Sequence, residues 1–257
     1  VLLLGCPVND LDDTEIEKIQ TFAQNGGNLL VVRDYTDPVD KMPNYLSLLR
    51  SYGITPLSGV VVAGEEDAGS YYGEPLYLLP YMTNIDMNLP LLASGMDVLM
   101  MPAACAFEEP PEAGTGDLSL SVATALKTGP HAYLRDVADG LDTIEQQPGD
   151  RTGELPLAVF AHRMHYNGNV SRMFALGNSA MLMDEYIYQR TFSEQFVIAV
   201  MNQLMPENTI SLDVMAAPAF RPALTAGSQH LGVALIIALP LLCLLAALLV
   251  LIPRKNR

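Results

Sequence analysis

The chain has 257 residues, half of them apolar, and carries 14 Lys and Arg against 29 Asp and Glu, a formal net charge of −15. That acidity argues against nucleic acid or an anionic lipid surface as the main partner. Three cysteines, Cys6, Cys105 and Cys243, are too few for a disulfide framework, while the apolar content suffices to bury one sizeable core without staples.

Residues 1–5, VLLLG, read as an apolar strand that leads into a well-marked helix. Asp12 is its N-cap and lies three before Glu15, a carboxylate version of the capping box, with Leu11 and Ile16 placed as a hydrophobic staple. Ile16, Ile19, Phe22 and Ala23 recur at helical spacing, and Gly26 with Gly27 supplies a left-handed stop. A buried strand over 29–32 follows. Pro43 then opens a second helix, with Tyr45, Leu48, Leu49 and Tyr52 on one face and Gly53 past its end. Residues 60–62, bounded by Gly59 and Gly64, read as a third strand. Strand, helix, strand, helix, strand at this spacing predicts parallel pairing, right-handed crossovers and helices on both faces.

From 65 to about 90 the pattern weakens into a tyrosine-rich, proline-punctuated excursion, YYGEPLYLLPYMTN. Residues 98–101 return as a buried strand, 108–116 form an acidic turn-rich loop, and 118–126 alternate as a half-exposed strand does. The stretch 139–154, dense in Gly, Asp, Gln and Pro, has the composition of a mobile surface loop. Strands over 155–163 and 170–177 flank an Asn-Gly turn, which predicts an antiparallel hairpin closing the sheet. A last helix runs over 193–204, with Phe196, Val197, Val200, Met201 and Leu204 on its buried side, and Pro206 ends it.

Residues 231–252 carry no charge and are followed at once by Arg254, Lys255 and Arg257. That length matches a bilayer's hydrocarbon core, and basic flanks stay cytoplasmic, so the body is expected on the extracytoplasmic side. The expected organisation is an α/β domain over 1–206, a linker over 207–229, a transmembrane helix over 230–252 and a cytoplasmic tail over 253–257. No export signal opens the sequence, which predicts that one lies upstream of Val1.

No P-loop, G-x-G-x-x-G, H-E-x-x-H or paired C-x-x-C occurs. Cys105 sits in PAACAFEEPP, which lacks the small-residue elbow of an amidotransferase-type nucleophile. His162, Arg163 and His165 read as exposed residues flanking the hairpin turn, and His131 and His230 are far from them in sequence, so neither a metal nor a cofactor is expected. Open α/β sheets bind ligands beyond the carboxyl ends of their strands. Here those loops hold Cys6, Asn9, Asp10, Arg33, Asp34, Tyr35, Asp37, Asn178 and Ser179. The same Asp and Asn side chains equally serve as helix caps and turn formers. Tyr71, Tyr72, Tyr77 and Tyr81 offer a partner surface or pack the excursion onto the core.

The segments DLDDTEIEKIQTFAQNGGNLLVV, MPNYLSLLRSYGITPLSGVVV and MFALGNSAMLMDEY, followed by a helix and the apolar terminal stretch, resemble the GldG-like auxiliary proteins of ABC transporters, a family first named for gliding motility. The resemblance implies an extracytoplasmic domain related to flavodoxin-like and amidotransferase-like sheets. It also implies work beside an ABC permease and ATPase at a bacterial cell membrane, without ATP hydrolysis by this chain, and a further N-terminal membrane helix. It carries over no catalytic residues. The expected function is therefore a non-enzymatic transport auxiliary. The rivals are a membrane-tethered amidase or hydrolase using Cys105, and an extracytoplasmic ligand-binding module unconnected to transport.

Overall fold

In the computed structural model, which describes residues 1–65, 70, 73–111, 117–137, 143–183 and 191–206, strand β1 (Leu2–Gly5) leads through helix α1 (Asp13–Gln24) to β2 (Leu29–Val32). Asp12 Oδ1 accepts the backbone N–H groups of Thr14 at 2.8 Å and Glu15 at 2.7 Å, and Glu15 Oε2 accepts that of Asp12 at 2.9 Å. The capping box is complete, so three N–H groups at this end have partners. Gly26, at φ +86°, turns the chain out of the helix toward β2. The elements that follow are α2 (Pro43–Ser51), β3 (Val60–Val62), β4 (Tyr77–Leu78), β5 (Tyr81–Met82), α3 (Leu89–Ala93) and β6 (Met101–Pro102). After them come β7 (Leu120–Lys127), β8 (Tyr133–Arg135), β9 (Arg151–Thr152), β10 (Pro156–Met164), β11 (Val170–Leu176) and α4 (Ser193–Leu204). All belong to one compact unit.

The main sheet has six strands in the order β1-β2-β11-β10-β7-β5. Only β1 with β2 and β2 with β11 pair in parallel; β11 with β10, β10 with β7, and β7 with β5 are antiparallel. The expected mostly parallel, flavodoxin-like sheet is thus corrected to a mixed α/β fold whose sheet pairs are mostly antiparallel. The departure lies at β3. It leaves the main sheet and pairs antiparallel with β8, Val60 opposite Arg135 and Val62 opposite Tyr133, in a small sheet completed by β9. Gly59 and Gly64 are the physical reason, because a Cβ on the first would lie 2.5 Å from the Arg135 carbonyl oxygen and one on the second 2.1 Å from that of His131. They admit the neighbouring backbone at both ends of β3 rather than merely ending a strand.

The place beside β2 is taken by β11, delivered by the Asn-Gly hairpin, in which Gly168 has φ +83°. The buried side chains of β2 then alternate between the two faces of the sheet, as the pleat requires. Leu29 and Val31 join the core under α1 and α2, and Leu30 and Val32 join the one that α4 covers with Phe196, Val200 and Leu204. Helices do therefore cover both faces. Of the expected strand over 98–101 only Met101 lies in a strand, and the stretch read as a mobile loop contains β9 and an Arg135–Asp150 ion pair at 2.9 Å.

The expected membrane helix over 230–252 lies outside the described residues, as do the linker and the tail. Among the described residues no helix is long and apolar enough to cross a membrane, so the span that completed the expected fold class is not found.

Gly177, just past β11, tests the packing of the strand ends. A Cβ there would lie 2.1 Å from the Cys105 carbonyl oxygen and 3.0 Å from that of Leu157, whereas one on Gly5 meets nothing within 4 Å. Gly177→Ala is expected to destabilise the domain by about 2–4 kcal/mol in urea unfolding, and Gly5→Ala to change stability by less than about 0.5 kcal/mol.

Candidate functional site

The carboxyl ends of β1, β2 and β11 deliver three short loops to one place, because parallel strands in register end together. The backbone N–H of Cys6 donates to the Val32 carbonyl at 2.8 Å, and that of Arg33 to Leu176 at 2.8 Å. At this end Asp34 is the hub. Its Oδ2 accepts the Ser179 hydroxyl at 2.7 Å and the Cys6 thiol at 3.3 Å, while its Oδ1 accepts the Ser179 backbone N–H at 3.2 Å. The Asp34 backbone N–H in turn donates to Asp37 Oδ2 at 3.0 Å. Asn178 donates from its amide to the Pro102 carbonyl and accepts the Met181 N–H at 2.6 Å.

Beneath this network lies a buried charge. Arg33 is 1% exposed, with its guanidinium 5.8 Å from the centre of the Phe107 ring and its Nε 4.0 Å from Asp37 Oδ2. One terminal nitrogen reaches the Leu57 carbonyl at 3.4 Å, yet Nε has no hydrogen-bond partner, and neither does the hydroxyl of the fully buried Tyr45. Burial raises the Asp37 carboxyl above its ordinary 3.8 more strongly than the Asp34 N–H and Arg33 lower it.

Cys6 and Cys105 converge on this cluster and are unpaired thiols. Cys6 has φ +42°, a left-handed conformation that costs a non-glycine residue energy and places its side chain at a strand-to-loop elbow. Its thiol is pushed up to about 12, first by burial and then by the Asp34 carboxylate. Cys105 is completely buried, and burial pushes its thiol to about 11. Both thiols are therefore protonated at neutral pH, which is the inert form. Among the described residues no group of three His, Cys, Asp or Glu side chains is placed to hold a metal.

The structure thus brings together five of the residues singled out in the strand-end loops: Cys6, Arg33, Asp34, Asp37 and Ser179. It separates others. Both oxygens of Asp10 accept backbone N–H groups of α2, those of Asn44 at 3.0 Å and Tyr45 at 2.9 Å, so Asp10 caps that helix from a distance. Asn9 is exposed, and Tyr35 packs against Val60, Val62 and Tyr133. Tyr35 and Asp37 also line a cavity of about 830 Å³ beside the network, with Asp40, Lys41, Asp136 and Arg151. Phe107 and Tyr45 complete the Arg33 site but carried no signal in the sequence beyond apolar periodicity. Of the four tyrosines, Tyr77 lies in β4, and Tyr81 lies in β5 at the outer edge of the main sheet, 48% exposed. Tyr71 and Tyr72 lie outside the described residues.

No family model matches this sequence, and no curated protein matches it. Among solved structures it is similar to the mmIFT52 N-terminal domain, with a TM-score of 0.55 and 16% identity over 82% of this chain and 80% of that one. A ThuA-like protein from Bacteroides uniformis aligns with a TM-score of 0.43 and 13% identity, over 80% of this chain and 70% of its own. The first similarity is one of fold.

The protonated thiols have a measurable consequence. Iodoacetamide at pH 8 is expected to alkylate Cys6 about a thousandfold more slowly than free cysteine and to leave Cys105 untouched until denaturant is added, as followed by peptide mass spectrometry. Asp34→Asn is expected to restore part of the reactivity at Cys6.

Asp37 makes a separate pH signature. A raised carboxyl binds its proton more tightly folded than unfolded, so its contribution to stability is present below the ordinary 3.8 and lost as pH rises through the raised value. Asp37→Asn keeps an acceptor and removes the titration. Its stability relative to the parent protein is expected to improve across that pH interval in urea unfolding series.

Proposed function

We propose that this chain is a non-enzymatic binding domain that serves as an auxiliary component of an ABC transport system on the extracytoplasmic side of a bacterial membrane, like the GldG-like proteins it resembles. The observation that carries this reading is the closed network on Asp34. Cys6 and Ser179 both spend their donors on one carboxylate, so the crevice where such a sheet would hold a nucleophile holds a self-satisfied cluster. The three segments that carry the family resemblance frame this site, since they form α1 with β2, α2 with β3, and β11 with the turn after it.

Binding without reaction fits the chemistry at hand. A thiol at about 12 supplies almost no thiolate at neutral pH, and the rival hydrolase would have to use Cys105, which no solvent reaches. The cavity beside the network, lined by Tyr35, Asp37 and Lys41, supplies room and polar groups for a partner or a transported molecule. Tyr81, exposed at the sheet edge, is the part of the tyrosine-rich segment that would meet the permease.

Affinity purification of the full chain from native membranes tests this directly. An ABC ATPase and a multispanning permease are expected to accompany it, and Tyr81→Ala is expected to lower their recovery several-fold. Recovery of the chain alone, with an amide-hydrolysing activity that Cys105→Ala abolishes, would overturn the proposal in favour of the enzyme.

A further inference from the structure

The end of the sheet opposite the Asp34 network holds a second cavity, of about 800 Å³, between the last turns of α1 and α2 and the end of β10. Its volume lies in the range of small-molecule sites. In a chain of net charge −15, no Asp or Glu is among the described residues that line it. Among those residues Arg163 carries the permanent charge, and its guanidinium is engaged by the Ser51 carbonyl at the end of α2.

The floor is a hydrogen-bonded relay. The buried Ser171 hydroxyl lies 2.5 Å from the Tyr52 hydroxyl and 2.7 Å from His165 Nε2, and both Tyr52 and His165 line the cavity. Burial first, and then the charge of Arg163, push His165 below its ordinary 6.5, so the imidazole is neutral at pH 7. At the rim stands Tyr166, 92% exposed. Its turn is tied down, because the side-chain amides of Asn167 and Asn169 both donate to the Gln24 carbonyl, at 2.8 Å and 3.0 Å. The ring is thus offered to solvent on a rigid mount.

The donor and acceptor inventory selects a ligand class. A carboxylate or phosphate calls for groups that only donate, and an ammonium for groups that only accept. Arg163, which only donates, is already engaged by the Ser51 carbonyl, and the other groups here, a glutamine amide on Gln20, a neutral imidazole and phenol hydroxyls, each do both, as sugar hydroxyls do. The exposed aromatic face supplies the flat apolar platform that the C–H face of a sugar ring needs. We propose that this cavity binds a neutral saccharide, with a ring stacked on Tyr166 and hydroxyls bonded to Gln20 and His165. The proposal does not rest on the transport reading.

Titration calorimetry of the full chain with maltohexaose, cellohexaose, xylohexaose and chitohexaose, and with an oligogalacturonate as the charged counterpart, tests it. At least one neutral oligosaccharide is expected to bind saturably. Tyr166→Ala, at a position too exposed to disturb the core, is expected to weaken that binding about tenfold or more with an unchanged thermal midpoint, while Tyr81→Ala leaves it intact. Failure of all four neutral oligosaccharides, equal binding by Tyr166→Ala, or binding of the oligogalacturonate alone would each overturn the proposal.

Discussion

The parallel ladder between β2 and β11, Leu29 opposite Met173 through Val32 opposite Leu176, joins two parts of the chain that lie far apart in sequence. Everything at the strand ends follows from it. Because the two strands finish in register, Asp34 meets Ser179 across a separation of 145 residues, and Arg33 is carried under the loop that follows β11. The ladder also sets β2 in the middle of the parallel part of the sheet, which is why all four of its residues are buried and why helices are needed on both faces.

A buried guanidinium is the most demanding consequence. Arg33 is compensated by the Phe107 ring, the Leu57 carbonyl and a carboxylate at 4.0 Å, a longer approach than a direct hydrogen bond. Such a charge stabilises little in net terms, since its desolvation offsets the attraction, but removing its partner would leave it stranded. Its role is specification. The positive charge fixes where Asp37 sits, Asp37 receives the Asp34 backbone, and Asp34 gathers Cys6 and Ser179. The strain at Cys6 belongs to this arrangement: a left-handed residue after β1 aims the thiol at Asp34.

The two ends of the sheet differ in chemistry. At the carboxyl ends Asp34 satisfies the donors of Cys6 and Ser179, and the network lies beside a cavity with carboxylates in its lining. At the amino ends, where α1 and α2 terminate, the described lining carries no carboxylate, and apart from Arg163 its polar groups are ambivalent donors and acceptors. The hairpin, expected to close the sheet at its edge, instead supplies the central strands β10 and β11 and builds this second end, and the His165–Ser171–Tyr52 relay unites residues from a turn, a strand and the end of a helix.

Local signals settled local structure. The Asp12 and Glu15 capping box, the Asn-Gly hairpin and the apolar faces of α1, α2 and α4 were legible because each is decided by residues within a turn or two of one another. Strand partnership was not, because three valines between glycines are equally good beside β2 or beside β8, and only the close approach of the His131 and Arg135 backbones to Gly64 and Gly59 decides. For the same reason the sequence could name Cys6, Arg33, Asp34 and Ser179 as strand-end residues, yet could not separate them from Asp10, whose carboxylate caps a helix. Nor could it show that Tyr45 and Phe107 complete the Arg33 site. The chain by itself determined its helices, its turn and its candidate polar residues, since these depend on spacing; the tertiary structure alone decided which strands pair and which side chains meet, since those contacts depend on burial and register between segments far apart in sequence.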